Sequence, residues 1–331
     1  MIQAGDTQHY QVEEGCCFRI FTGAPIPHGA DTVIMQEHCI IQHTEIVFQH
    51  PELRAGDNVR KKGSQILKGE ALSSDRQVLT PGRIGYLATL GITQVEVICR
   101  PKVCILVTGK ELIAPGGTLQ HGQIFESNSV MLLAALQEGR IQDLDIRFVD
   151  DDLLATQNVL QEVLDRCDVL LVTGGISVGE YDFVQTALTN CGVEKLFYKV
   201  KQKPGKPLFF GRKNATLVFA LPGNPSAVLT CFYQYVVPAL RKMCGLPFDT
   251  PHRQLPLIAA YRKKGELRHF LKARIEQEGV RILDAQESYK LNSFMDANGL
   301  VTLQEQHAEM NPGDLVDCLP LQRIWDGPDE R

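Results

Sequence analysis

Val169-Leu-Leu-Val-Thr173-Gly-Gly-Ile-Ser-Val-Gly-Glu-Tyr-Asp182-Phe-Val-Gln-Thr-Ala-Leu188 reads as a short buried strand, a glycine-rich turn and the start of a helix. The run from Val169 to Thr173 is apolar without alternation and ends at two glycines, as a strand covered on both faces does. Asp182 stands where a helix N-cap is expected. A strand that delivers a glycine turn to a helix N-terminus aims backbone amides at whatever occupies the turn, so the stretch predicts an anion pocket in an α/β layer. Two further turns, Lys203-Pro-Gly-Lys-Pro207 and Leu221-Pro-Gly-Asn-Pro225, also follow apolar runs and are expected to line the same pocket.

Working outward, the layer starts near Lys102. Val103 to Thr108, Leu144 to Val149 and Val169 to Thr173 read as strands, with helices at Asn128 to Glu138 and Leu153 to Leu164 between them. That alternation predicts a parallel sheet with helices on its faces. Strand-like runs at Lys195 to Val200 and Thr216 to Ala220 lead to a long apolar helix from about Ser226 to Cys244, with Asn224 as its cap and Pro225 in its first turn. Upstream, Phe18 to Phe21, Thr32 to Met35 and Glu45 to Phe48 read as short strands. Leu79 to Gly91 reads as one connecting helix, with Pro81 at its start and Gly91 at its end. After Pro247 the pattern returns to short strands at Arg274 to Glu276, Val280 to Leu283, Gly299 to Leu303 and Leu315 to Leu319. The expectation is a multidomain α/β plus β fold. It comprises a β-rich domain over 1–77, a linking helix segment over 78–101, a central parallel α/β domain over 102–246 and a C-terminal β barrel over 247–331.

Composition narrows the function classes. The 331 residues carry a formal net charge of −5, with 44% hydrophobic and 22% charged residues, which gives no global field for nucleic acid or an anionic membrane. No run of apolar residues is long enough to span a bilayer and no leader pattern opens the chain, so a cytoplasmic protein acting on small molecules is expected. The ten cysteines form no C-x-x-C pair, and the nine histidines show no H-E-x-x-H spacing.

Polar residues cluster where open α/β sheets bind ligands, at the carboxyl ends of the strands. Thr108-Gly-Lys-Glu111 follows the first strand, Asp150-Asp-Asp152 the second and Thr173-Gly-Gly175 the third. Gly174, Gly175 and Gly179 clear room for an oxyanion against backbone amides, and Ser177 adds a hydroxyl donor. Glu111, Asp150 and Asp182 are hard oxygen donors suited to Mg2+ beside substrate phosphates. Lys203 and Lys206 flank a rigid Pro-Gly turn and would present two ammonium groups to one anion. Neither a G-x-x-x-x-G-K-[ST] nor a G-x-G-x-x-G element is present, which removes the common nucleotide folds.

These motifs, together with Phe21-Thr-Gly-Ala-Pro-Ile-Pro27 and Asp31-Thr-Val-Ile-Met-Gln-Glu37, resemble the molybdopterin molybdenumtransferases, a family that includes the E domain of gephyrin. The resemblance spans essentially the whole chain. It implies an elongated homodimer and an enzyme of molybdenum cofactor biosynthesis that takes adenylylated molybdopterin and molybdate, with Mg2+, and releases AMP. It also implies contact with the adenylyltransferase of the same pathway. By motif, Thr22, Glu111, Asp150 and Asp182 match functional positions of the family, the last three as metal ligands. Thr173, Gly174, Gly175, Ser177, Gly179, Pro222, Gly223 and Pro225 match the pterin-binding loops. Lys203, Lys206 and Pro207 match the molybdate site, while Lys272 falls near a family arginine and Ser288 or Ser293 near a family serine.

The sequence departs from the pattern at Gln65, where the family has an acid, and at Lys110, where an aspartate is common. Against the family pattern the sequence begins inside the β-rich domain, and the family's N-terminal segment with D-N-S-A-M-D-G-Y-A, which helps form the linking domain and the site shared between subunits, is absent from it. Two other readings compete: a pterin-binding scaffold that has lost turnover, and an adenylyltransferase, which shares only the α/β core.

Overall fold

The computed structural model describes residues 1–48, 50–72, 77–176, 183–322 and 324–325. The chain divides into two compact units, Met1–Gln77 and Val78–Arg331.

In the first unit, β1 (Cys39–Gln42) and β2 (Glu45–Phe48) form an antiparallel hairpin. The expected strands at Phe18 to Phe21 and Thr32 to Met35 do not form. Ile20 makes only an isolated bridge to Ile2, and Thr32 to Met35 is irregular. Apolar runs of four residues establish no ladder when turns at Gly15, Gly23 and Gly29, all at positive φ, break the chain on either side.

In the second unit, α1 (Pro81–Thr89) starts where Thr80 Oγ1 accepts from the Arg83 amide at 3.4 Å. Then come β3 (Val103–Thr108), β4 (Leu112–Ile113), β5 (Ile124–Phe125), α2 (Asn128–Glu138) and β6 (Leu144–Val149). These lead to α3 (Leu153–Val163), β7 (Val169–Thr173) and α4 (Phe183–Asn190), followed by β8 (Glu194–Tyr198), β9 (Gln202–Lys203), β10 (Phe209–Lys213) and β11 (Thr216–Leu221). The sheet runs β6-β3-β7-β11-β10-β8 among the described residues. Its first four strands are parallel; β10 runs antiparallel to β11, and β8, antiparallel to β10, returns to the direction of the first four. β10 escaped sequence reading because Phe209-Phe-Gly-Arg-Lys213 is half apolar and half basic. It forms as the outgoing arm of a hairpin that returns through Asn214, at φ 53°, into β11.

Every residue of β3 and β7 is buried, because these central strands are covered on both faces. One face packs Ile105, Leu171 and Phe219 against Leu132, Val228 and Phe232; the other packs Leu106, Leu170 and Val172 against Leu160, Val184 and Leu188. Burial of each such side chain contributes about 2 kcal/mol.

The long apolar helix is not continuous. α5 (Pro225–Cys231) passes through a π turn at Phe232–Val236 into α6 (Val237–Met243). Pro238 lacks an amide and crowds the carbonyl four residues back, and the chain widens by one residue just before it, with the Val237 amide donating to Phe232.

β12 (Arg253–Pro256), β13 (Tyr261–Arg262), β14 (Arg268–Glu276), β15 (Gly279–Ile282), β16 (Gly299–Leu303), β17 (Glu309–Met310) and β18 (Leu315–Pro320) complete the unit. The sheet order is β12-β18-β16-β14-β15, and a bridge from Leu257 to Val280 brings its two edges together around Leu271, Ala273, Val301 and Val316. β14 is longer than expected, starting at Arg268. β9 pairs with it in parallel, setting Gln202 against Arg268 and Lys203 against His269. The barrel sheet thus takes up a two-residue strand from the segment between β8 and β10, and Leu300 and Leu319 join the core that includes α5.

Candidate functional site

The parallel strands end in one row. Register places Thr108 beside Val149, Val107 beside Thr173 and Thr173 beside Leu221, so the loops after β6, β3, β7 and β11 leave the sheet at the same edge. Gly174 and Gly175 have φ of 88° and 58°, backbone that disfavours a side chain. They are also pressed against β3: a Cβ on Gly174 would lie 2.5 Å from the Thr108 carbonyl oxygen, and one on Gly175 would lie 2.9 Å from Thr108 Oγ1. The Thr108 hydroxyl donates to the Thr173 carbonyl at 3.4 Å. The turn thus approaches closer than any other residue type permits.

The Thr173 hydroxyl is buried with no hydrogen-bond partner among the described residues. Ser177, Gly179 and Asp182, expected to complete this loop, lie outside the described residues.

On the β11 side, Pro222 is buried and Gly223 is exposed, with Gly223 lying against Gly174. Asn128, at the start of α2, donates from Nδ2 to the Gly223 carbonyl at 2.9 Å. The buried Glu126 holds that helix start, accepting from the Ser129 amide at 2.8 Å and from the Ser129 hydroxyl at 2.6 Å. Neither Asn128 nor Glu126 stood out in the sequence, although Glu126 three residues before Ser129 has the spacing of a capping pair. Asn224 occupies the N-cap position of α5 with Pro225 next to it, but its side chain makes no cap bond. It reaches instead across to the barrel, where Nδ2 donates to Ser288 Oγ at 3.0 Å.

The acidic residues sit on the adjacent loops. Glu111 and Asp150 are both exposed. The carboxylate that reaches from the β6 loop to the β3 loop is Asp151, whose Oδ2 accepts from the Lys110 amide at 3.4 Å, while Asp152 caps α3 through the Ala155 amide at 2.7 Å. Among the described residues no group of three or more His, Cys, Asp or Glu side chains is arranged around a common ion.

The Lys203 to Pro207 turn is fixed from beneath. Gln202 is buried, and its Nε2 donates to the Gly205 carbonyl at 3.1 Å and to Cys231 Sγ at 3.6 Å. Tyr235, carried by the π turn, donates its hydroxyl to Gln202 Oε1. Burial pushes that phenol up to about 12, so it stays a donor at neutral pH. The Val200 amide closes the turn on the Lys206 carbonyl at 3.0 Å. Lys203 and Lys206 are left exposed above this support.

Lys272 is buried in β14. Its Nζ donates to the carbonyls of Ala285 at 2.6 Å and Lys290 at 2.9 Å, and Ser293 Oγ donates to the same Ala285 oxygen at 3.0 Å. Gln286 pairs with the Lys272 main chain in both directions, at 3.0 and 2.9 Å. Burial drives the Lys272 ammonium down to about 8; Glu287 partly offsets this, and Lys290 adds to it. The structure joins Lys272, Ser288 and Ser293 in one loop system tied to Asn224.

Thr22 belongs to the first unit. It is exposed in a tight turn where the Ala24 amide donates to the Phe21 carbonyl at 2.9 Å. Gln65 is likewise exposed in that unit.

Residues 2–91 match a family described as the MoeA N-terminal region (domain I and II), residues 104–242 a probable molybdopterin binding domain, and residues 254–321 the MoeA C-terminal region (domain IV). The chain is 31% identical over 335 residues to molybdopterin molybdenumtransferase 2 of Mycobacterium tuberculosis, covering 98% of this chain and 80% of that protein. Against the molybdopterin molybdenumtransferase of Haemophilus influenzae it is 30% identical, covering 92% and 77%. The crystal structure of a molybdopterin biosynthesis MoeA protein from Pyrococcus horikoshii superposes with a TM-score of 0.83 at 28% identity, over 97% of this chain and 79% of that one.

Proposed function

This chain belongs to the molybdopterin molybdenumtransferase family, and we propose from that premise that it transfers molybdenum from molybdate to adenylylated molybdopterin with Mg2+, releasing AMP. The observation that carries this reading is the Asn224 to Ser288 bond. It joins the strand-end turns suited to a phosphorylated pterin to the barrel loop suited to an oxyanion.

In this reading the amides after β3, β7 and β11 hold the pterin phosphate, with Gly174, Gly175 and Gly223 clearing the approach. Lys203 and Lys206 provide the exposed charge that draws molybdate in, and Pro207 and the Lys272, Ser288 and Ser293 loop form the wall beside it. The donor set fits Mg2+ in kind, since Glu111 and Asp150 are hard carboxylate ligands on neighbouring loops and the ion takes its remaining ligands from water and phosphate. Asp182 would be the third protein ligand. When bound, Mg2+ would neutralise charge on the phosphoanhydride. Thr22, in the first unit, is a further functional residue in this reading, on the strength of its motif. A homodimer suits α1, which has no buried residue and exposes Ile84. The reading places the protein in the cytoplasm, supplied by the adenylyltransferase of the same pathway. Among the described residues no helix is long and apolar enough to cross a membrane.

The test is an assay with adenylylated molybdopterin, molybdate and Mg2+ in which a relative such as the Haemophilus influenzae enzyme serves as the positive control. AMP release dependent on both molybdate and Mg2+ is expected. Pterin binding without AMP release would instead favour the scaffold reading.

A further inference from the structure

At the C-terminal end of α2, Glu138 borders a cavity of about 200 Å3 lined by Leu229, Tyr233, Phe294, Ala297 and Leu321. Leu229, Tyr233 and Leu321 are buried and form its floor, while Glu138 and Gln322 are exposed at the mouth. An apolar cavity of about 150 Å3 holds benzene, so this one has room for a six-carbon ring with a polar substituent. Its walls are fixed before anything binds. Arg241 donates from Nη1 to the Ile324 carbonyl at 2.6 Å, and the Leu321 amide donates to the Asn298 carbonyl at 2.9 Å. Trp325 packs so closely on Gly139 that a Cβ there would lie 2.7 Å from the indole.

The lining carries one carboxylate and no cationic side chain. Glu138 has no cationic or hydrogen-bond partner among the described residues, and the loss of part of its hydration beside the apolar floor raises its carboxyl above the usual range. The Tyr233 hydroxyl is also without a hydrogen-bond partner among the described residues. Burial, then the Glu138 charge, pushes that phenol up to about 12, so it stays neutral and its oxygen can accept. Phe294 also meets Lys272, whose ammonium, 5.6 Å from the ring centre, is bonded to the carbonyls of Ala285 and Lys290 rather than to Glu138.

A partly dehydrated carboxylate gains from a cation that donates to it, and an apolar floor gains from hydrocarbon. An oxyanion would be repelled by Glu138. The cavity is also remote from the strand-end turns, because α2 is about 16 Å long and carries Asn128 at one end and Glu138 at the other.

We propose that this cavity binds a small primary ammonium ion with a compact hydrocarbon body. The ammonium donates to Glu138 and to the Tyr233 oxygen, and the body lies against Leu229, Phe294 and Leu321. The proposal goes beyond the molybdenumtransferase reading and does not depend on it.

Trp325 is the single tryptophan of the chain and packs beside Glu138, so its emission reports on the site. The full chain is titrated with cyclohexylammonium chloride, against sodium chloride at matched ionic strength and against cyclohexanol, and followed by calorimetry and Trp325 emission. Saturable binding of the ammonium is expected, with cyclohexanol about tenfold weaker. Glu138→Gln, at an exposed position, should raise the half-saturating ammonium concentration about tenfold through loss of a charge-assisted contact. Ala297→Leu, which fills the cavity, should abolish binding in protein whose urea midpoint shows it folded. No saturation by either readout, a response that follows ionic strength alone, equal affinity for cyclohexanol, or an unchanged midpoint in Glu138→Gln would overturn the site.

Discussion

The strand-end turns of the α/β layer and the 283–293 loop of the barrel face each other through Asn224 and Ser288, yet they hold their shapes by different means. After β7 the shape comes from backbone: Gly174 and Gly175 take conformations and approach distances that a side chain would forbid. In the barrel loop it comes from side chains, with Lys272, Gln286 and Ser293 gathering main-chain carbonyls around a buried ammonium. A backbone-built loop fails when atoms are added. A side-chain-built loop fails when atoms are removed.

The largest effect is therefore expected from Gly174→Ala. Positive φ and the 2.5 Å approach to the Thr108 carbonyl together predict a loss of roughly 2–5 kcal/mol, read as a lower urea midpoint. Gly116→Ala, at φ 91° with nothing within 4 Å, is the control and should cost about 1–2 kcal/mol. Equal losses at the two positions would break the argument from close approach.

Next is Lys272→Met, which leaves the Lys290 carbonyl without its donor and should cost about 1–3 kcal/mol. The same variant sharpens the comparison through pH. The folded-state pKa lies near 8, below the ordinary lysine value of 10.5, so between these the unfolded chain holds more protons and wild-type stability rises with pH. That rise, measured by denaturation from pH 8 to 10, should be flatter in Lys272→Met.

The smallest effect belongs to the joint between the two regions. Asn224 is exposed, so a double-mutant cycle of Asn224→Ala with Ser288→Ala should give a coupling near 0.5–1 kcal/mol. Zero coupling would mean the loops merely touch.

The same contrast decides what the sequence discloses. β3, β6, β7, α2 and α3 are legible because apolar period and turn glycines are local signals, and the strand-end turns are legible because glycine and proline announce backbone geometry. The Lys272 network is not, since nothing local distinguishes a lysine that will be buried from one on the surface. Only resemblance points to Lys272 and the two serines, and nothing local marks Gln286, which braces the Lys272 main chain. β10 was hidden by its basic end, and the π turn by an apolar run that reads as plain helix. Asn224 was assigned a local cap because Asn before Pro fits one, whereas a partner 64 residues away in the chain takes its side chain. Asp150, Asp151 and Asp152 are equivalent in the sequence, and only the structure separates Asp151, which spans to Lys110, from Asp152, which caps α3.

The central claim is a division of labour, with oxyanion handling on the Lys203 to Pro207 side and pterin handling on the strand-end side. Its most direct test is Lys206→Ala, a change at an exposed residue whose turn is held by Gln202 from below. The half-saturating molybdate concentration for AMP release and the Kd for adenylylated molybdopterin are measured on the same preparation. The account predicts that the molybdate requirement rises about tenfold, the scale of one lost charge-assisted contact, while the pterin Kd changes less than about twofold. Equal losses in both would contradict it.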